Sequence, residues 1–244
     1  MFLPPDGAVV EGDQRILAKQ LSLEPAELLR MIRCTVSSSV ALLWILLAGW
    51  VGVIPLCWAQ SDATSPDARA ILKRGTVEAG GVVGYWEEFL FPTEAHSSTR
   101  RGILVMPRVG MVVTDEVEAG VLSGNLAVQL EPVYGRFKNT FTGHAAGAAM
   151  VVKYQLLSFG RWMPFWDVGV GVLWTDLAPR IAEDSSQVNF SLETGPGTQY
   201  YLTARTALTL GVRYHHISNA GIGTRNLGLD AVLPYGGISW MLSN

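Results

Sequence analysis

From Thr76 to Leu242 the sequence repeats one device eight times. Segments of about ten residues, rich in Val, Tyr, Trp and Thr, are separated by turns containing Gly, Pro or Ser. They run approximately Thr76–Trp86, Ile103–Thr114, Val121–Val133, Ala146–Leu156, Met163–Thr175, Gln187–Tyr201, Thr206–Ser218 and Leu229–Leu242. No apolar run in this stretch is long enough to cross a bilayer as a helix. An even number of amphipathic strands suits a closed barrel. The connections near 87–102, 134–145, 176–186 and 219–228 read as long and those near 115–120, 157–162 and 202–205 as short, as in outer-membrane barrels with loops on one rim and turns on the other. The expected fold is therefore all-β, an eight-stranded antiparallel up-and-down transmembrane barrel with both ends of the barrel on the short-turn side.

Upstream lies the one strongly apolar segment, VALLWILLAGWVGVIPL from Val40 to Leu56, with Arg33 before it and small Cys57 and Ala59 after it. This pattern reads as a secretory signal peptide over 31–59, cut after Ala59, with a single spanning helix as the competing reading. Residues 1–30 then form an N-terminal extension without a function of its own, Met31 is the candidate start, and the acyl hydrolase barrel domain occupies 60–244. Both cysteines, Cys34 and Cys57, lie in or beside the leader, so the barrel has neither a disulfide framework nor a thiolate metal site. A net charge of −3 offers no broad basic field for nucleic acid.

The stretch RYHHISNAGIG, Arg213 to Gly223, carries the candidate chemistry. Alternation along a strand puts Leu208, Leu210, Val212, Tyr214, His216 and Ser218 on one face and Thr209, Gly211, Arg213, His215 and Ile217 on the other. The apolar set belongs to lipid, so His216 and Ser218 face outward at the loop rim. Asp230 shares the corresponding face of the next strand with Val232, Ile238, Trp240 and Leu242. A hydroxyl, an imidazole and a carboxylate thus converge on a lipid-facing surface, where each is costly to bury unpaired. Two readings follow: polar rim residues in the headgroup layer, or an activated serine in which His216 takes the Ser218 proton and Asp230 orients the ring.

The string H-x-S-N-A-G at His216–Gly221, followed by N-x-G-x and an acid at Asn226–Asp230, resembles the lipid A 3-O-deacylase (PagL-type) family. The resemblance implies an outer-membrane esterase that hydrolyses the 3-O-linked acyl chain of lipid A in the lipopolysaccharide of the outer leaflet. Ser218 would be its nucleophile, His216 the base, Asp230 the acid and Asn219 an oxyanion or supporting residue. The family acid is usually glutamate, and aspartate is one methylene shorter. The C-terminus SWMLSN lacks the terminal aromatic residue common in such barrels, although Trp240 is close.

Elsewhere the sequence is plainer. His215 points into the barrel with Arg213, and His96 and His144 fall in loops without ligand spacing, so no metal or cofactor is expected. The glycine-rich stretches 143–150 and 193–199 read as bulges or close strand approaches. No G-x-S-x-G elbow is present, against a soluble α/β-hydrolase. The alternatives are a non-catalytic outer-membrane barrel serving adhesion, transport or structure, and a soluble barrel holding an apolar ligand. A homodimer stays open as the assembly.

Overall fold

The computed structural model describes residues 66–89, 100–138 and 141–242. The extension 1–30, the leader 31–59 and His96 lie outside the described residues. A short helix, α1 (Ala68–Ile71), leads into eight strands: β1 (Val77–Glu88), β2 (Arg101–Val112), β3 (Gly124–Lys138), β4 (Thr142–Leu156), β5 (Trp162–Thr175), β6 (Val188–Thr203), β7 (Thr206–Ser218) and β8 (Leu229–Leu242). Each strand pairs antiparallel with the next, and β8 returns to β1 from Val77↔Leu242 to Glu88↔Ala231, closing the barrel. Closure satisfies the backbone of every strand on both sides, as a sheet in hydrocarbon requires.

Side chains alternate as a membrane barrel requires, not as a soluble one. The exposed face of β5 carries Trp166, Val168, Val170, Val172 and Trp174, apolar residues bracketed by aromatics. The lumen holds Glu78, Arg108, Glu131, Lys153, Asp167, Glu193 and Arg213, all buried. A soluble ligand-holding barrel needs the reverse, an apolar lumen and a polar exterior. The lumenal charges are paired: Arg213 reaches Asp167 at 2.7 Å, Glu131 at 2.9 Å and Glu193 at 3.2 Å, while Arg108 meets Glu131 at 2.6 Å and Lys153 meets Glu78 at 3.4 Å.

Toward the rim opposite the barrel's two ends, this polarity inverts without any break in the alternation. On β3 the outward series runs Leu130, Pro132, Tyr134, Arg136, Lys138, while the inward series runs Gln129, Glu131, Val133, Gly135, Phe137. The inversion marks where the strands leave the hydrocarbon: once water replaces lipid outside, apolar residues turn inward. They close the lumen there, with Trp86 edge-on to Phe137 at 5.0 Å and Leu177, Ile181, Ile217 and Leu229 buried around them. At the other end Ala68 and Leu72 are buried, and Asn125 Nδ2 donates to the Leu72 carbonyl at 2.8 Å.

Two connections differ from the expected lengths. The long loop expected over 134–145 shrinks to 139–141, because Tyr134–Lys138 and Thr142–Ala145 continue the ladder above the membrane with Phe137 packed inward. On the other rim, 113–123 is longer than expected, since β3 begins at Gly124 after the 3-10 turn Gly120–Leu122. The two glycine-rich stretches fall within β4 and β6 as regular strand, and a side chain at Gly147 or Gly195 would run into the neighbouring backbone.

Candidate active site

Strand β7 delivers Tyr214, His216 and Ser218 to its outer face at the loop rim, since the residues that alternate with them, Arg213, His215 and Ile217, are committed to the interior at 0%, 2% and 2% exposure. Strand β8 supplies Asp230 by register, as the direct partner of His216. The ring Nδ1 lies 2.7 Å from Asp230 Oδ1, so the shorter acid reaches the imidazole. The histidine side chain is 30% exposed and the carboxylate 10%, which places the pair at the edge of the buried wall.

One member of this group was not singled out in the sequence. The Tyr214 hydroxyl donates to the same Asp230 oxygen that holds His216, and its ring stacks on the imidazole at 6.5 Å and 17°. The signal was in the strand period: Tyr214 stands two residues before His216, just as Ser218 stands two after it. In the sequence it counts with the lipid-facing series Leu208, Leu210 and Val212, which hid it. With both partners on Oδ1, the carboxylate is fixed in orientation.

Ser218 is partly exposed, pairs across the ladder with Phe190, and shares its face with His216. Among the described residues no hydrogen bond joins its Oγ to the ring. With Nδ1 held by Asp230, the free ring nitrogen is Nε2. Catalytic hydrogen bonds of this kind are often long before substrate binds.

Beyond Ser218 the chain turns back through Ala220 and Gly221, both at positive φ, 50° and 82°. Asn219 organises this corner. Its Nδ2 donates to Asp184 Oδ1 and to the Arg225 carbonyl, each at 2.7 Å, its backbone N–H donates to Asn226 Oδ1 at 2.9 Å, and its own Oδ1 accepts from Gly221 N–H at 2.9 Å. The side chain is fully buried. The backbone and side-chain donors of Asn219 are thus engaged by Asn226, Asp184 and Arg225 within the loops. Asp184 in turn belongs to a loop anchored through Glu183 to Arg100 at 2.8 Å, and Arg100 is also bound to Glu88 at 2.8 Å. The corner after Ser218 is therefore braced by the 176–187 loop.

Gly228, at φ 78°, brings the returning chain against the imidazole: a Cβ there would sit 2.7 Å from His216 Cε1. His215 faces the lumen, where its Nδ1 accepts from Trp86 Nε1 at 3.2 Å. His144 lies on β4 rather than in a loop, its Nδ1 2.9 Å from the Tyr134 hydroxyl.

Comparison with known proteins bears on this arrangement. The crystal structure of the outer membrane enzyme PagL aligns with 20% identity over 66% of this chain and 97% of its own, at a TM-score of 0.47. Neisserial surface protein A aligns with 15% identity over 68% and 96%, at 0.43, and OprG from Pseudomonas aeruginosa with 12% identity over 71% and 98%, at 0.38. No curated protein sequence matches significantly. The profile of the family described as lipid A 3-O-deacylase (PagL) matches residues 108–235, more than half of the 244 residues and inclusive of the whole Tyr214–Asp230 site. The chain belongs to the lipid A 3-O-deacylase (PagL) family.

Proposed function

We propose that this outer-membrane barrel is a lipid A deacylase that hydrolyses the 3-O-linked acyl ester of lipid A, with Ser218 as nucleophile, His216 as general base and Asp230 as the orienting acid. The observation that carries the reading is the His216–Asp230 pair at 2.7 Å on the outer face, two residues from Ser218 on the same strand face, in a chain of this family. Asp230 holds Nδ1–H and so presents Nε2 as the acceptor for the Ser218 proton. Ser218 Oγ attacks the ester carbonyl, and the proton taken by Nε2 passes to the departing sugar oxygen as the tetrahedral intermediate collapses. Water, deprotonated by the same nitrogen, then releases a 3-hydroxy fatty acid and restores the serine.

The oxyanion needs a preorganised donor. The Ala220 N–H supports this role best: it follows the nucleophile by two residues, at a positive-φ corner, and donates to no group among the described residues. The level of the site also favours an ester near the sugar over one deep in hydrocarbon. Tyr214, His216 and Ser218 stand where the lumen has already turned from Arg213 to Ile217, the boundary where polarity inverts.

The test is mass spectrometry of lipid A from a lipopolysaccharide-containing host expressing the chain, beside Ser218→Ala. Loss of one 3-hydroxyacyl group only with the parent chain is the expected result. Unchanged lipid A in both strains, with the barrel inserted, would leave the trio a polar feature of the rim.

A further inference from the structure

A second part of the same rim carries a charge arrangement that hydrolysis does not use. Arg101 on β2 lies directly opposite Lys138 on β3, and Arg136, two residues down the same face of β3, lies opposite Ile103. All three side chains are exposed on the outside of the barrel. Like charges set across a strand pair repel and are disfavoured unless something between them supplies the opposite sign. One acid is near: Glu87 lies 3.0 Å from Arg101 Nε. Among the described residues neither Arg136 nor Lys138 meets an acid. Arg180, hydrogen-bonded to the Thr142 carbonyl at 3.4 Å, adds a fourth cation beside the Lys138↔Thr142 pair.

The contrast within the molecule is sharp. At the opposite rim Arg69 pairs with Glu116 at 2.8 Å and Arg74 with Asp115 at 3.5 Å, and the lumenal cations Arg108, Lys153 and Arg213 are all matched. Single cations without an acid partner occur elsewhere among the described residues, as at Lys73 and Arg205, but at the outer face of β2–β4 at the loop rim Arg101, Arg136 and Lys138 stand together on paired strands.

What lies beneath this cluster identifies its occupant. Immediately below, on the same strands and the same face, are Ile103, Val105, Leu130 and Tyr134, each 44–52% exposed. Cations above an apolar wall match a lipid whose head is anionic and whose chains lie in the hydrocarbon, and a free phosphate ion would have no use for the wall. The vertical position fits as well, because Arg136 and Lys138 follow Tyr134 at the level where the strands leave the membrane. In the outer leaflet the lipid of that description is phosphorylated lipid A.

We propose that Arg101, Arg136 and Lys138, with the apolar face beneath them, form a binding site for the phosphate groups of an outer-leaflet lipid A molecule, separate from the site of hydrolysis. Strand β1 lies between β8, which bears Asp230, and β2, which bears Arg101, and β1 and β2 together lie between β8 and β3, which bears Arg136 and Lys138. The site holds a boundary lipid that sets the height of the barrel in the leaflet. This inference rests on membrane placement and not on the hydrolytic reading.

The test compares full-length protein carrying Ser218→Ala with the same protein carrying in addition Arg101→Gln, Arg136→Gln and Lys138→Gln, both in uncharged detergent. Binding of bisphosphorylated lipid A and of chemically dephosphorylated lipid A is titrated by native mass spectrometry. Each cation near an anionic lipid surface contributes roughly fivefold in affinity. The triple substitution is expected to weaken binding of the phosphorylated lipid about a hundredfold and to leave the dephosphorylated lipid unaffected. Equal binding of phosphorylated lipid A by the two proteins would overturn the site, and complete competition by millimolar inorganic phosphate would overturn its assignment to a lipid. Should the triple variant fold poorly, Lys138→Glu alone carries the same comparison. Parent protein without Ser218→Ala, assayed separately for deacylation, keeps a failure of the hydrolytic reading distinct from a failure of this one.

Discussion

Gly228→Ala separates the geometry of the site from the stability of the barrel. At φ 78° an alanine incurs the left-handed backbone cost, about 1–2 kcal/mol. In addition its Cβ would lie 2.7 Å from His216 Cε1, whereas carbon atoms prefer about 3.5–4.0 Å, so the ring has to retreat by roughly 1 Å. The imidazole cannot retreat freely, being held by Asp230 Oδ1 at 2.7 Å and stacked on Tyr214. A displacement of that size in a catalytic base costs on the order of 100-fold in rate, about 2.7 kcal/mol of transition-state stabilisation. Gly160→Ala is the matched control: φ is 62° and nothing lies within 4 Å of the added Cβ, at the far rim. Release of 3-hydroxy fatty acid from lipid A in mixed micelles, with denaturant unfolding of each variant in lipid vesicles, reads the two effects apart. The expected outcome is similar stability loss in both and a 100-fold fall in kcat in Gly228→Ala alone. A Gly228→Ala enzyme within threefold of the parent would refute the placement of His216 as base.

Two further outcomes follow from the bonds described. Tyr214→Phe removes a donor from the Asp230 carboxylate while keeping the stacked ring, and should lower kcat about tenfold with KM unchanged, the worth of one hydrogen bond to a charged group; steady-state kinetics check it, and a loss in KM alone would make Tyr214 a contact for the lipid. Arg213→Leu leaves Glu131, Asp167 and Glu193 with only Arg108 and Lys153 as lumenal cations and should cost about 3–5 kcal/mol in unfolding free energy, partly recovered by adding Asp167→Asn; urea titration in lipid vesicles measures both, and a loss under about 1 kcal/mol would mean that water inside the barrel screens the cluster.

Much of the barrel was legible because the period of two is rigid. Once Leu208, Leu210 and Val212 are assigned to lipid, His216 and Ser218 have no other face to take, and the structure places them there. Strand ends were less legible because the polarity signal inverts at the membrane boundary. Tyr134, Arg136 and Lys138 read as loop by composition, yet they continue a strand whose inward residue, Phe137, packs on Trp86. His144 was misread for the same reason, as a loop histidine when it is a strand residue opposite Arg136, its ring hydrogen-bonded to the Tyr134 hydroxyl. The candidate site was legible to the extent that it is local, with His216 and Ser218 two apart and Asp230 across one hairpin. The brace of Asn219 by Asp184 joins residues 35 apart in sequence, and no local pattern announces a long-range hydrogen bond between two loops. Tyr214 was hidden by its place in the lipid-facing series with Leu208, Leu210 and Val212, where a large side chain needs no polar partner.

The filled lumen has a consequence for the cell that carries this protein. Paired charges occupy the middle of the barrel, and apolar side chains stopper both ends, Trp86 and Phe137 at one and Leu72 at the other. A barrel built this way offers no route for nutrients, antibiotics or bile salts. It can accumulate in the envelope while leaving the permeability barrier intact, so its abundance is bounded by the supply of lipid around its wall rather than by leakage through its axis.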